Sequence, residues 1–279
     1  MNKQMILDPI QNVVGTGVAI ADLNKLLGTV LEKITLTLGG TFTRSMITLL
    51  QLKANGKVIF ETDGTKLEAS NVYNGATTDV TILKIDFMDR KAITANARQA
   101  GTFDLSLGSG IRQLRMEVTI AGATAPTLIG FADVSPPSAD PAEAGLRGLI
   151  ARRHRATHVI GGAGTFALPI PHIDPSGGGA AYRRIYIYSA TMTGFKTMRE
   201  GIVEHEVFKL QNEAAQRDNF KFPQANLVVF DPVQDGQLSG RIWDTRPIVG
   251  VRSAQFYGTF SAGETITIET EELLGFGAY

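Results

Sequence analysis

Four histidines, at 154, 158, 172 and 205, are the side chains in this sequence best suited to metal binding or acid–base work. His154 and His158 stand four apart, a spacing that on a helix would put two imidazoles on one face. They sit in ARRHRATHVIGG, which lacks the glutamate of a zinc-protease motif and surrounds the first histidine with Arg152, Arg153 and Arg155. Those cations would repel a metal ion. His205 lies in Glu204-His205-Glu206, within a strand-like run where alternation sends the two carboxylates to one face and the imidazole to the other. A pair of surface acids is the expectation there. The absence of cysteine excludes disulfides, Cys-ligated zinc, iron–sulfur clusters and thiol nucleophiles. No catalytic residue, metal ligand or cofactor is expected.

Other catalytic signatures fail on the residues they need. Gly162-Ala163-Gly164-Thr165-Phe166-Ala167 fits the Gly-x-Gly-x-x-Ala dinucleotide fingerprint, but such a phosphate site rests on a helix that starts directly after the turn. Leu168-Pro169-Ile170-Pro171 follows, and two prolines forbid that helix. The glycines therefore mark a turn leading into a strand. The chain has no Gly-Lys-Ser or Gly-Lys-Thr of a P-loop and no Gly-x-Ser-x-Gly nucleophile elbow. Two carboxylates would suffice for glycoside hydrolysis, yet a single Trp gives a sugar-stacking cleft little support.

Nucleic-acid wrapping has no bulk signature either. Lys plus Arg total 27 and Asp plus Glu total 27, a formal net charge of zero, whereas proteins that neutralise phosphates usually carry a basic excess. Near-neutrality also suits copies that must pack densely. One basic cluster stands out: Arg147, Arg152, Arg153 and Arg155. It could contact anionic lipid headgroups or nucleic acid. The other reading is a solvated loop, or ion pairs with Glu143, Glu271, Glu272 or a neighbouring subunit. Arg152, Arg153 and Arg155 are retained as interface candidates. In GRIWDTRPIVG, Trp243 and Arg246 join them, with Ile242 alongside, because Trp and Arg concentrate at interface centres. A Trp covering the end of a core is the alternative.

The elements that must position these residues read as strands. With 43% hydrophobic and 19% charged residues the chain can fill a substantial core. The apolar runs are short, β-branched and bounded by Gly, Asn, Asp or Pro. They cover 34–43, 46–64, 80–87, 101–108, 113–122, 164–171, 182–190, 200–210, 226–232 and 264–273, the pattern of an all-β sandwich or barrel. Asn55-Gly56 predicts a type I′ hairpin. Residues 21–34 have weak helical spacing that Gly28 undercuts, and 210–219 predict a short helix. MNKQMILDPIQNVV has no signal-peptide pattern and no run is long enough to span a bilayer, so a soluble protein is expected. Residues 1–10 could be an arm reaching a membrane or neighbour, or a frayed end. VSPPSADPAEAG, with three prolines and no periodicity, reads as a linker. It divides the chain into 1–133 and 151–279 around a connection at 134–150. A faint repeat links the halves at an offset of 145 residues, laying Gly56 on Gly201, Val58 on Val203, Leu83 on Val228 and Asp86 on Asp231.

IQNVVGTGVAI, LGTVLEKITLTLGG and LQLKANGKVIF in the first half, then AYRRIYIYSA and TITIET in the second, give an order of elements that covers most of the chain. That order resembles the double jelly-roll major capsid proteins of tailless, membrane-containing icosahedral viruses, the corticovirus, tectivirus and adenovirus lineage. The short corticovirus form is the most similar. The resemblance implies an all-β fold of two tandem eight-stranded jelly-roll β-sandwiches. It also implies a non-enzymatic major capsid protein, synthesised in the host cytoplasm and located in the virion shell. Three chains would close into a pseudo-hexagonal homotrimer with six similar lobes. Its partners would be itself, neighbouring trimers, a vertex (penton) protein, minor membrane-associated virion proteins and the lipid headgroups of an internal membrane. Sequence-specific nucleic-acid contact is not expected. Two alternatives are a trimeric receptor-binding or spike-type β-sandwich and a jelly-roll enzyme. The bicupin form of the latter needs a His-x-His pair, which is absent.

Overall fold

Apolar residues recurring at every second position mark strands such as those at Val30–Gly39 and Leu114–Ile120, and the chain assembles into two compact units. The computed structural model describes residues 3–77, 79–137, 149–238 and 241–275. The first unit contains the chain before Tyr73 together with Ala76–Arg153 and, at the end of the last strand, Leu274 and Gly275. The second contains His154–Leu273 together with Tyr73–Gly75. The predicted connection falls largely on 138–148, which, with Arg147 and Glu143, lies outside the described residues.

In the first unit the strands are β1 (Lys3–Ile6), β2 (Gly17–Asp22), β3 (Val30–Gly39), β4 (Ile47–Ala54) and β5 (Lys57–Thr62). Helix α1 (Gly64–Tyr73), β6 (Ile82–Asp86), α2 (Ala95–Gln99), β7 (Phe103–Asp104), β8 (Leu114–Ile120) and β9 (Thr127–Ser135) follow. One sheet has the order β1-β9-β3-β6, with β7 beside β3; the other runs β5-β4-β8-β2. Crossing between sheets along the chain in this way is the jelly-roll plan. Alternation supplies the core: Leu114, Met116, Val118 and Ile120 point inward from β8, and Ile34, Leu36 and Leu38 from β3. Lys3–Ile6 pair antiparallel with β9, so from Lys3 onward the N-terminal segment is a strand of its own unit rather than an arm or a frayed end. Residues 24–26 form one 3-10 turn and β3 begins at Val30, because β-branched Thr and Val after Gly28 favour a strand.

The second unit contains β10 (Leu149–Ile160) from His154 onward, β11 (Gly164–Ala167), β12 (Ala181–Tyr188), β13 (Met192–Arg199) and β14 (Ile202–Phe208). Then come α3 (Lys209–Asp218), β15 (Leu227–Phe230), β16 (Trp243–Asp244), β17 (Ala254–Phe260) and β18 (Glu264–Gly275). Its sheets are β15-β12-β18-β10, with β16 beside β12, and β11-β17-β13-β14. Element by element, this is the plan of the first unit.

The agreement extends to irregularities. At the offset of 145 residues, β4 falls on β13, β5 on β14, α1 on α3 and β6 on β15. The pairing of β4 with β5 slips between Leu52 and Lys53, and that of β13 with β14 slips between Thr197 and Met198, the same place. A second pair of matching bulges interrupts Ile47/Leu49 against β8 and Met192/Gly194 against β17. Bulges re-aim a strand and persist within a fold. Both hairpin turns use two left-handed residues: Asn55 (φ 49°) and Gly56 (φ 81°), then Glu200 (φ 52°) and Gly201 (φ 75°). The first of each pair also caps the loop before the next long strand. Asn55 Oδ1 accepts from the N–H groups of Arg112 and Gln113, and Glu200 Oε1 from those of Arg252 and Ser253. Beyond β6 and β15 the offset falls to 140, so that Phe103 corresponds to Trp243 and Asp104 to Asp244.

Candidate functional site

The arginine cluster is set by β10. Arg152 and Arg153 are only 5% and 4% exposed, so they belong to a packed strand and not to a solvated loop or a headgroup-facing surface. Arg153 donates to Ser70 Oγ at 3.0 Å and lies 5.7 Å from the Phe60 ring centre. A flat, weakly hydrated guanidinium tolerates such burial far better than an ammonium. Arg155 is half-buried. Trp243 is likewise a core residue, 3% exposed. Its ring packs against Tyr182, Phe230 and Phe256 at 5.5, 5.6 and 6.4 Å. Arg246 folds back on Asp244, Nε to Oδ1 at 2.9 Å. Any part that Arg152, Arg153 or Trp243 plays in a subunit contact must therefore be indirect.

On β14, Glu204 and Glu206 are exposed as expected, but the expected alternation is broken. The bulge opposite Thr197 and Met198 leaves Glu204 as the extra residue, and strict alternation fails there. Glu204 accepts from Trp243 Nε1 at 2.8 Å and pairs with Arg199, so it is more than a surface acid. His205 packs 5.4 Å from Phe230, and burial is the main cause holding its imidazole below the usual histidine range. Gly164–Ala167 form β11 against β17, where no helix is available for a phosphate.

The second unit buries a connected set of charges that no motif announced. Arg183 pairs with Glu271, and Arg184 reaches Asp231 Oδ2 through Nε at 3.0 Å and Glu271 through a terminal nitrogen at 3.5 Å. Lys221 approaches the same Asp231 oxygen at 3.7 Å, and the Tyr73 hydroxyl donates to it at 3.1 Å. Burial, followed by the Asp231 charge, pushes the Tyr73 phenol well above its ordinary value, which keeps it a proton donor. The desolvation of enclosed ions offsets much of their attraction, but removing one partner leaves a buried charge uncompensated.

His154 and His158 sit on β10, where four residues span about 13 Å, so they cannot share a ligand. His154 instead meets His172, edge to face with ring centres 4.4 Å apart. Both face Glu272 of β18, which is wholly buried. His172 Nδ1 lies 3.2 Å and His154 Nε2 3.9 Å from Glu272 Oε2, and Thr270 Oγ1 donates to Oε1 at 2.6 Å. The three ligand atoms fall within 4.8 Å of one another. The sequence placed His154 and His172 eighteen positions apart with no motif spacing, and nothing local could have joined them.

Several large apolar side chains of the second unit are exposed. Edge strand β14 is exposed almost throughout, and Ile202, Phe208 and Leu210 are each about two-thirds exposed or more. Phe208 and Leu210 border a 410 Å³ depression with Met192, Thr193 and Ser261. Phe220 and Phe222 are exposed beyond α3. Among the described residues no helix is long and apolar enough to cross a membrane.

Two sandwiches of one plan define a double jelly-roll protein. Residues 4–135 match the viral coat protein P2 N-terminal domain and residues 150–275 the viral coat protein P2 C-terminal domain. The chain belongs to the viral coat protein P2 family and is a major capsid protein of the virion. Its fold is similar to the major capsid protein P2 of bacteriophage PM2, with a TM-score of 0.79, 16% identity and full coverage of both chains. It is also similar to the STIV major capsid protein, with a TM-score of 0.65, 11% identity and coverage of 99% and 97%. The Faustovirus major capsid protein follows with a TM-score of 0.60, 6% identity and coverage of 98% and 90%. No curated protein sequence matches.

Proposed function

We propose that this chain is a non-enzymatic shell subunit that closes into homotrimers and tiles an icosahedral coat laid over an internal membrane. One observation carries the reading: the two units repeat one plan down to their bulges and hairpin turns. A threefold ring of such chains offers six near-equivalent sides, each tunable because the halves differ in sequence. The open β14 edge supports it. An unpaired strand edge with exposed Ile202 and Phe208 is an aggregation hazard unless a neighbour covers it. Vertex protein, minor membrane-associated proteins and lipid headgroups are the further partners. We keep 1–133 and 151–279 as the two rolls and 134–150 as their connection.

Native mass measurement of the purified chain, followed by electron microscopy of what it assembles into, tests this. Trimers that associate laterally into sheets or shells are expected. A chain that stays monomeric at all concentrations overturns the trimer. A slender trimer that never associates sideways would make it a spike instead.

A further inference from the structure

Two histidines and a buried carboxylate of the second unit converge near one end of β18, and we propose that His154, His172 and Glu272 form a site for a transition-metal dication of the zinc type. Tetrahedral zinc with ligand bonds of about 2.0–2.2 Å separates its ligand atoms by about 3.3–3.6 Å. The histidine-to-carboxylate separations here are 3.2 and 3.9 Å, and the whole set spans no more than 4.8 Å. Small side-chain rotations close the remaining gap.

The surroundings orient the ligands. Glu272 is fully buried, held by Thr270 Oγ1 at 2.6 Å, the kind of supporting hydrogen bond that fixes a metal-binding carboxylate. His172 takes a left-handed backbone, φ 58°, directly after Pro171, whose carbonyl accepts from the Tyr182 hydroxyl at 2.5 Å. On β10, alternation turns Arg153 and Arg155 to the face opposite His154, so the repulsion expected from the sequence is weakened. Arg152 shares the His154 face one strand period away. Both imidazoles retain partial exposure, 21% and 33%, whereas Glu272 and the His154 Nε2 that faces it are buried. Two nitrogens and one carboxylate suit zinc, cobalt or nickel, whereas calcium and magnesium require oxygen-rich shells. Bound metal would join β10, β18 and the loop after β11 at one point.

The test uses the full chain, stripped with a chelator and dialysed, then titrated with Zn²⁺ or with Co²⁺ alone. The expected result is one ion per chain, a visible Co²⁺ ligand-field band, and a higher melting temperature in Zn²⁺ but not in Mg²⁺. His172→Asn suits the left-handed backbone, and His154→Gln preserves bulk. Each should weaken Zn²⁺ by roughly tenfold or more, since loss of even a supporting partner costs that much. No stoichiometric uptake by the parent chain overturns the proposal, as does uptake unchanged in both variants. If His172→Asn fails to fold, His154→Gln decides alone.

Discussion

Trp243→Ala separates a core residue from a contact residue. The indole buries roughly 200 Å², worth about 5 kcal/mol as transferred apolar area, and large-to-small aromatic changes in cores cost about 3–5 kcal/mol. Its Nε1–H also donates to Glu204 at 2.8 Å. Glu204 keeps a side-chain exposure of 24% and a second partner in Arg199, so water replaces most of that bond. The expected loss is about 4–5 kcal/mol for Ala, and about 1 kcal/mol for Phe, which keeps the ring contacts and loses the donor. At roughly 3–4 °C per kcal/mol for a unit of this size, the midpoint should fall by about 12–20 °C and about 3–4 °C respectively. Trp243 is the only tryptophan, so its emission reports on the second unit alone. The parent protein should emit blue-shifted, iodide-resistant fluorescence, red-shifting in one transition on heating. Circular dichroism follows the variants. A solvent-like parent spectrum would refute the placement. So would an unchanged Trp243→Ala midpoint accompanied by failed assembly, which would make Trp243 a subunit contact.

Glu200→Asn should raise stability by about 0.5–1 kcal/mol, read as a urea midpoint, because Asn tolerates positive φ better than Glu and Asn55 shows that the shorter side chain reaches the same loop. Asp231→Ala leaves the Arg184 and Lys221 charges without their shared carboxylate and should cost about 3–5 kcal/mol; a loss below 1 kcal/mol (roughly a surface pair) would place that network in water. Burial tends to raise the Glu264 carboxyl, but hydrogen bonds from Ser189 and Thr191 and from the N–H groups of Thr191 and Ala190 outweigh it, and the net shift is downward. Its stabilisation is therefore complete above the ordinary carboxylate range and lost as pH falls through the lower folded value. Glu264→Gln should cost about 1–2 kcal/mol at neutral pH, and that difference should vanish in acid; a pH-independent difference would count against the assignment.

The duplication explains residues that look odd singly. A glutamate at positive φ is unexpected until Glu200 is set beside Asn55, where the same turn caps the same loop. The Asp244–Arg246 pair occupies the place of Asp104 and Ser106, and in both the aspartate Oδ1 accepts the backbone N–H two residues on. One plan has kept its backbone hydrogen bonds while the side chains diverged.

Features that depend only on neighbours along the chain are legible in the residues themselves. Period-two burial in β8, the Asn55-Gly56 turn, the short helix of α3 and the prolines after Gly164 are local properties, and the 145-residue offset was visible because a copied strand order leaves copied spacings. Helix α1 escaped notice because GTKLEASNVY has no apolar stripe. Tertiary structure alone decided what each polar side chain meets. Arg152 and Arg153 became buried because β10 is packed, Glu204 turned toward Trp243 because a bulge shifted its phase, and His154 found His172 and Glu272 across strands. Alternation fixes which face of a strand a residue occupies. Which strand and loop lie opposite is set by pairings between segments distant in the chain, and a single sequence does not display those.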